Sequence, residues 1–177
     1  MRLDDDDFSV LGLPQAFALD RPLLDERRRV LQAEVHPDRF AAEGGSAQRA
    51  AMQWAMRVNE AWRRLKDPLT RAAYLCELRG APVGAESNTA MPADFLVQQM
   101  QWREALDDAR ADDALRGLDA QAHASEQELL ARLATQLDGP GHEAPTQARA
   151  AAGTVRALMF VQRFRQDLER RLQPLDT

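Results

Sequence analysis

Apolar side chains recur along this chain at intervals of three and four rather than two, the periodicity of helices and not of strands. Asp7 can cap a short helix over residues 8–11, which Gly12 and Pro14 end. Leu23, Leu24, Val30, Leu31 and Val35 share one helical face and predict a helix over 21–35, capped by Asp20. Arg27, Arg28 and Arg29 project from its flanks and outer side. Pro37 disfavours a helical conformation at His36 and stops the element. Residues 39–46, with Gly44-Gly45, read as a loop. A second long helix is predicted over 47–66, with Met52, Ala55, Met56, Asn59 and Trp62 near one face. Asp67-Pro68 breaks the chain and starts another helix over 68–78, ended by Gly80.

Residues 81–91 are rich in Pro, Gly, Ser and Asn and read as a linker. Three further helices are predicted beyond it, over 92–110, 112–137 and 145–172, and short connections between them suggest an antiparallel bundle. The chain thus divides into residues 1–80, a linker over 81–91, and a three-helix domain over 92–177. On the first helix of that domain Phe95, Trp102, Leu106 and Ala109 form one face, at 100° per residue. Leu96, Val97 and Met100 fall outside that face, beside Glu104 and Asp108. On the last helix Leu158, Val161, Phe164, Leu168 and Leu172 form a core stripe, while Met159 and Phe160 point elsewhere. Surplus apolar groups rimmed by acids compose a partner site. They are equally what a bundle shows when a helix buries more than one face.

Composition agrees with an all-α class: Ala, Leu, Arg, Gln and Glu are abundant, and β-branched residues are few. The net charge of -5 argues against nonspecific nucleic-acid binding. It is uneven: residues 1–80 hold 13 basic and 13 acidic groups, residues 81–177 hold 10 and 15. One cysteine, Cys76, leaves no internal disulfide and no multi-cysteine zinc site, and reads as a packing residue. His123 and His142 have no ligand partner at metal spacing, so neither a metal nor a cofactor is expected. Asp4 to Asp7 read as a solvated, helix-capping terminus. The first residues resemble neither a secretory signal nor a transit peptide, and no apolar run reaches membrane length, so the expectation is a cytoplasmic protein. Phosphate loops, nucleophile elbows and metalloprotease helices are missing too, which points away from an enzyme.

The most informative motif is His36-Pro37-Asp38. Taken alone it is a helix stop and an Asp-capped turn. Between two amphipathic helices it becomes an exposed imidazole and carboxylate held beside a rigid proline, able to dock on a partner with little entropy loss. The run from Val35 to Phe40, the run Val58-Asn59-Glu60-Ala61-Trp62 through Asp67-Pro68, and Arg71-Ala72-Ala73-Tyr74-Leu75 together resemble a J-domain, the module that stimulates ATP hydrolysis by DnaK-type chaperones. The resemblance implies that His36, Pro37 and Asp38 trigger the chaperone while Arg27, Arg28, Arg29 and Arg39 supply docking charge. Ala33 and Glu34, nearest the loop, are not basic.

Phe8 to Pro14, residues 95–100 with 103–107, and Thr154 to Leu158 with Phe160 extend the likeness. Nearly the whole chain resembles the HscB family, the J-type co-chaperones of iron–sulfur cluster assembly. That resemblance implies a J-domain hairpin followed by a three-helix domain that binds an IscU-type scaffold through Leu96, Val97, Met100, Gln101, Glu104, Asp108 and Phe160. It also implies an HscA-type ATPase as the chaperone partner. Gln101 stands where the family often has an acid, and Val97 where it often has Met. Other readings are a general J-domain protein serving a different client, and a structural helical protein with no chaperone partner.

Overall fold

The computed structural model describes residues 2–84, 90–109 and 111–172, and every regular element among them is helical. Residues 85–89 of the expected linker and residue 110 of the expected fifth helix lie outside the described residues. The chain forms two compact units, Met1–Leu75 and Cys76–Thr177.

The first unit opens with α1 (Asp7–Leu11). Its cap is Asp6 rather than Asp7: the Asp6 carboxylate accepts from the Phe8 and Ser9 amides at 3.0 and 3.1 Å. Gly12, at φ +65°, ends the helix in the left-handed region that only glycine enters without strain. Asp7, expected to be solvated, is instead fully buried. Its carboxylate pairs with Arg57 at 2.6 Å and Arg64 at 3.1 Å. The remaining Arg57 nitrogens donate to the Leu3 and Asp5 carbonyls. Thus the acidic terminus is sewn to α3 (Gly45–Lys66), the helix that carries both arginines.

Helix α3 is also the partner of α2 (Arg21–Glu34). It buries Ala51, Val58, Ala61 and Leu65, leaving Met52 and Met56 exposed, so the stripe read along 52–62 is not the core-facing one. On α2 only Leu24 is fully buried; Leu23 and Val30 are exposed. A hairpin arm packed chiefly on one neighbour buries a narrow seam, not a broad face. Between the two arms, Pro37–Glu43 forms a 3-10 segment where a loop was expected, and α3 begins two residues early at Gly45. Gly44, at φ +94°, makes the turn between them. The part of α4 (Pro68–Leu78) up to Leu75 closes the unit: Ala72 and Leu75 are buried, and Tyr74 stacks on Phe8 at 6.0 Å.

In the second unit, α6 (Asp112–Asp138) and α7 (Pro145–Leu172) run antiparallel across a six-residue connection. Small residues of α7, including Ala148, Ala151 and Ala152, let α6 lie close along its first half, while Gly153 faces Ala90 and Pro92. Arg165 ties the other half by pairing with Asp119 and Glu126 at 3.0 and 2.6 Å. Helix α5 (Ala93–Asp108) is held by aromatic rings: Trp102 stacks on Phe164 at 5.2 Å, and Phe95 meets Phe160 edge-on at 5.7 Å. Arg156 is buried and donates to the carbonyls of Val83 and Ala90, tying those two residues to α7. Cys76 is a free, buried thiol whose pKa burial pushes up to about 11.

The Asp7 pairs set the first prediction. Arg57→Ala strips a fully buried carboxylate of its shorter partner and should destabilise by about 3–5 kcal/mol in urea unfolding. An exposed control, Arg63→Ala, should stay within about 0.5 kcal/mol of the parent.

Candidate functional site

The chain presents two surfaces, one in each unit. In the first, His36 has φ -65° and ψ 127°, the extended geometry that a following proline favours. Its Nδ1 accepts from the Asp38 amide at 3.3 Å and lies 3.6 Å from Asp38 Oδ2. An accepting Nδ1 places the neutral ring's proton on Nε2, on an exposed imidazole. The Asp38 carboxylate is exposed beside it. The turn therefore offers one outward N–H donor and one carboxylate acceptor in fixed relation. Arg39 folds back, its Nη1 donating to the Ala33 carbonyl at 3.1 Å, so the loop is tied to the last turn of α2.

The three consecutive arginines of α2 are not equivalent. Arg28 is half-buried, lies 4.1 Å over the Trp62 ring and donates to Asn59 at 3.2 Å. Arg27 and Arg29 are exposed and make no ion pair among the described residues. Trp62 also receives Arg21 and Lys66 over its ring, at 5.7 and 4.4 Å, while its indole N–H donates to Asp25 at 2.6 Å. Three cations on one indole and a carboxylate at its edge lock the hairpin arms together. This cluster was not read from the sequence. The signal was available, because residues 21, 25 and 28 share one helical face.

In the second unit the exposed apolar residues form a ridge along α5: Leu96 is 44% exposed, Val97 59% and Met100 73%. Glu104 and Asp108 continue it, exposed and without ion pairs among the described residues. Grooves flank the ridge on both sides. Val97 and Gln101 line a groove toward α6 that also holds Ser125 and Arg132. Leu96 lines a larger cavity toward α7, together with Phe160. The structure thus brings Leu96 beside Phe160 and sets Val97 and Gln101 on the opposite flank, with Met100 at the crest. Arg103 and Arg163, not named as site residues from the sequence, lie beside Phe160. Their spacing held the clue, since 103 is two turns from 96 and 163 one turn from 160.

Residues 91–169 match the family model of the HSCB C-terminal oligomerisation domain. Over 99% of its length the chain is 47% identical to the co-chaperone protein HscB homolog of Burkholderia multivorans, covering 98% of that protein. The homolog of Paraburkholderia phymatum is 46% identical, with 98% of each chain covered. The chain belongs to the HscB family of co-chaperones.

Among solved structures, HscB of Vibrio cholerae matches with a TM-score of 0.74 and 34% identity over 94% of this chain and 96% of that one. Human HscB shares the fold alone, at a TM-score of 0.84 and 22% identity over 99% and 86% of the two chains. The J-domain hairpin and C-terminal bundle expected from the sequence are the architecture of this HscB family member. Co-chaperones of this kind act with a chaperone and are not themselves enzymes. No described helix is long and apolar enough to cross a membrane, and no described group of His, Cys, Asp or Glu could hold a metal ion.

Donation from the Trp62 indole, then from Arg21, holds the Asp25 carboxyl below the usual carboxylate range. A lowered folded-state pKa stabilises above the unfolded value, about 3.9, and the gain is lost as pH falls through the folded one. In melting curves from pH 7 to 2.5, Asp25→Asn should therefore melt below the parent at neutral pH and converge with it below about pH 4.

Proposed function

We propose that this HscB family member stimulates the ATPase of an HscA- or DnaK-type chaperone and delivers an IscU-type scaffold protein to it during iron–sulfur cluster assembly. In this reading residues 1–80 dock on the chaperone, 81–91 link the two functions, and 92–177 hold the scaffold, in the cytoplasm. The observation that carries it is the His36-Pro37-Asp38 turn: an exposed donor and acceptor, preorganised at the end of a braced hairpin, in a chain that matches HscB proteins along its length. Binding such a turn costs little ordering entropy, so the contact can be used to favour the chaperone state that hydrolyses ATP.

Arg27 and Arg29, unpaired and exposed, supply steering charge; Arg28 adds charge while its guanidinium remains stacked on Trp62. Leu96, Met100 and Phe160 form the apolar centre of the scaffold contact, with Val97 and Gln101 on its flank and Glu104 and Asp108 on its rim.

Two measurements test the two halves separately. In a coupled ATPase assay with the chaperone, His36→Gln should reduce stimulation to the basal rate while calorimetric binding of the scaffold is unchanged. Persisting stimulation would remove the proposed role of the turn. The double change Leu96→Ala with Phe160→Ala should weaken scaffold binding about thirtyfold or more, the ~2 kcal/mol of a central truncation. Stimulation in the absence of scaffold should stay at the parent level. Unaltered scaffold binding would favour a different client.

A further inference from the structure

The cavity between α5 and α7 has a volume of about 600 Å3 and a mixed lining. Leu96, Leu106, Met159, Phe160 and Phe164 make its apolar wall. Three arginines line it as well: Arg103, Arg156 and Arg163. None of them forms an ion pair among the described residues. Arg103 lies over the Phe160 ring at 5.7 Å, and Arg163 is exposed at the mouth. Arg156 is only 7% exposed and meets backbone carbonyls in place of a carboxylate. Burial pulls its pKa below the ordinary guanidinium value, as for a cation lacking a counter-charge. The one acid in the lining, Asp167, is already paired with Arg170. Gln99 adds a buried side-chain oxygen with no hydrogen-bond partner.

This cluster runs against the charge of its surroundings, since residues 81–177 carry 10 basic and 15 acidic groups. Guanidinium groups with no carboxylate partner among the described residues, set around an apolar hollow, favour a guest that is greasy and anionic at once. The hollow is continuous with the α5 ridge through Leu96 and Phe160.

We propose that this cavity receives from the scaffold protein an apolar side chain flanked by an Asp or Glu carboxylate, the side chain packing on Leu96, Phe160 and Phe164 and the carboxylate meeting Arg103 and Arg163. The inference rests on the scaffold reading above and gives it polarity. The acidic rim at Glu104 and Asp108 meets basic groups of the partner, and the arginine side meets acidic ones. Two opposite charge pairs across one ridge define the orientation in which the scaffold docks.

Calorimetric titration of the full chain with the scaffold tests it, with circular dichroism melts confirming that each variant folds. Arg103→Glu and Arg163→Glu should each weaken binding about tenfold at low salt, with the effect shrinking at 0.5 M salt. Arg149→Glu, the same charge change on an exposed position of α7 away from the cavity, should bind like the parent. If Arg103→Glu and Arg163→Glu behave like Arg149→Glu while the Leu96 and Phe160 double variant still weakens binding, the carboxylate inference fails alone. If the double variant also binds normally, the scaffold reading itself has failed. Dodecanoate supplies the second arm: competition with the scaffold, lost in Arg163→Glu, supports the proposed chemistry. Binding of dodecanoate without competition would reassign the cavity to a small amphipathic anion and overturn the proposal.

Discussion

A carboxylate with no access to water must keep its partners, and the first unit is organised around that constraint. Asp7 meets Arg57 and Arg64 on α3, and its amide N–H donates to the Tyr74 hydroxyl of α4 at 3.1 Å. Arg64 lies 4.7 Å over the Tyr74 ring, which itself stacks on Phe8. One residue at the start of α1 thereby joins three helices. Separating any of them would leave a charge stranded in a medium of low dielectric, and that is far costlier than losing a surface pair. Helix α3 is the common member, so bracing it from one side frees its other side to carry α2.

The chemistry the unit offers depends on this stiffness. Helix α2 buries a single fully enclosed side chain, Leu24, and would be a weakly held arm if apolar contact were all that fixed it. Trp62 compensates: Arg21, Arg28 and Lys66 cover its faces and Asp25 takes its N–H, so the arms are joined by polar contacts that tolerate water. At the far end Arg39 ties the turn back to Ala33. Together these contacts present His36 and Asp38 without leaving the loop free to wander, and a partner that reads both groups need not order them first.

The second unit solves a different problem. Its α6–α7 pair is a closed apolar seam, whereas α5 is held through rings, Phe95 and Trp102 against Phe160 and Phe164. Large flat side chains reach across a wider gap than alanines do, and the space left around them is the cavity that Leu96 and three arginines line. Exposed Val97 and Met100 then sit on a ridge between two grooves, which suits contact with another protein better than burial in its own core. Sequence periodicity had left open whether those residues served a second buried face; their exposure removes that alternative.

By itself the sequence determined where the α-helices begin and end to within about two residues, because prolines and glycines act locally, although the caps it named did not hold: Asp6 caps α1 and Asp20 makes no side-chain cap bond. It determined that the chain is all-α, and the adjacency of His36, Pro37 and Asp38 needs no folding to exist. It also placed Leu158, Val161, Phe164 and Leu168 of α7 and Phe95, Trp102 and Leu106 of α5 in the core, where helical period and burial agree, whereas Leu172 is only half-buried and Ala109 falls just past the end of α5. Only the tertiary structure decided that Asp7 is buried, that α3 turns Ala51, Val58, Ala61 and Leu65 inward and leaves Met52 and Met56 outside, and that Arg28 differs from its neighbours. It also brought Arg103, Arg156 and Arg163 around one hollow. The reason is common to all of these: a side chain's solvation depends on which element comes to rest against it, and partners that lie tens of residues away leave no mark in the local pattern.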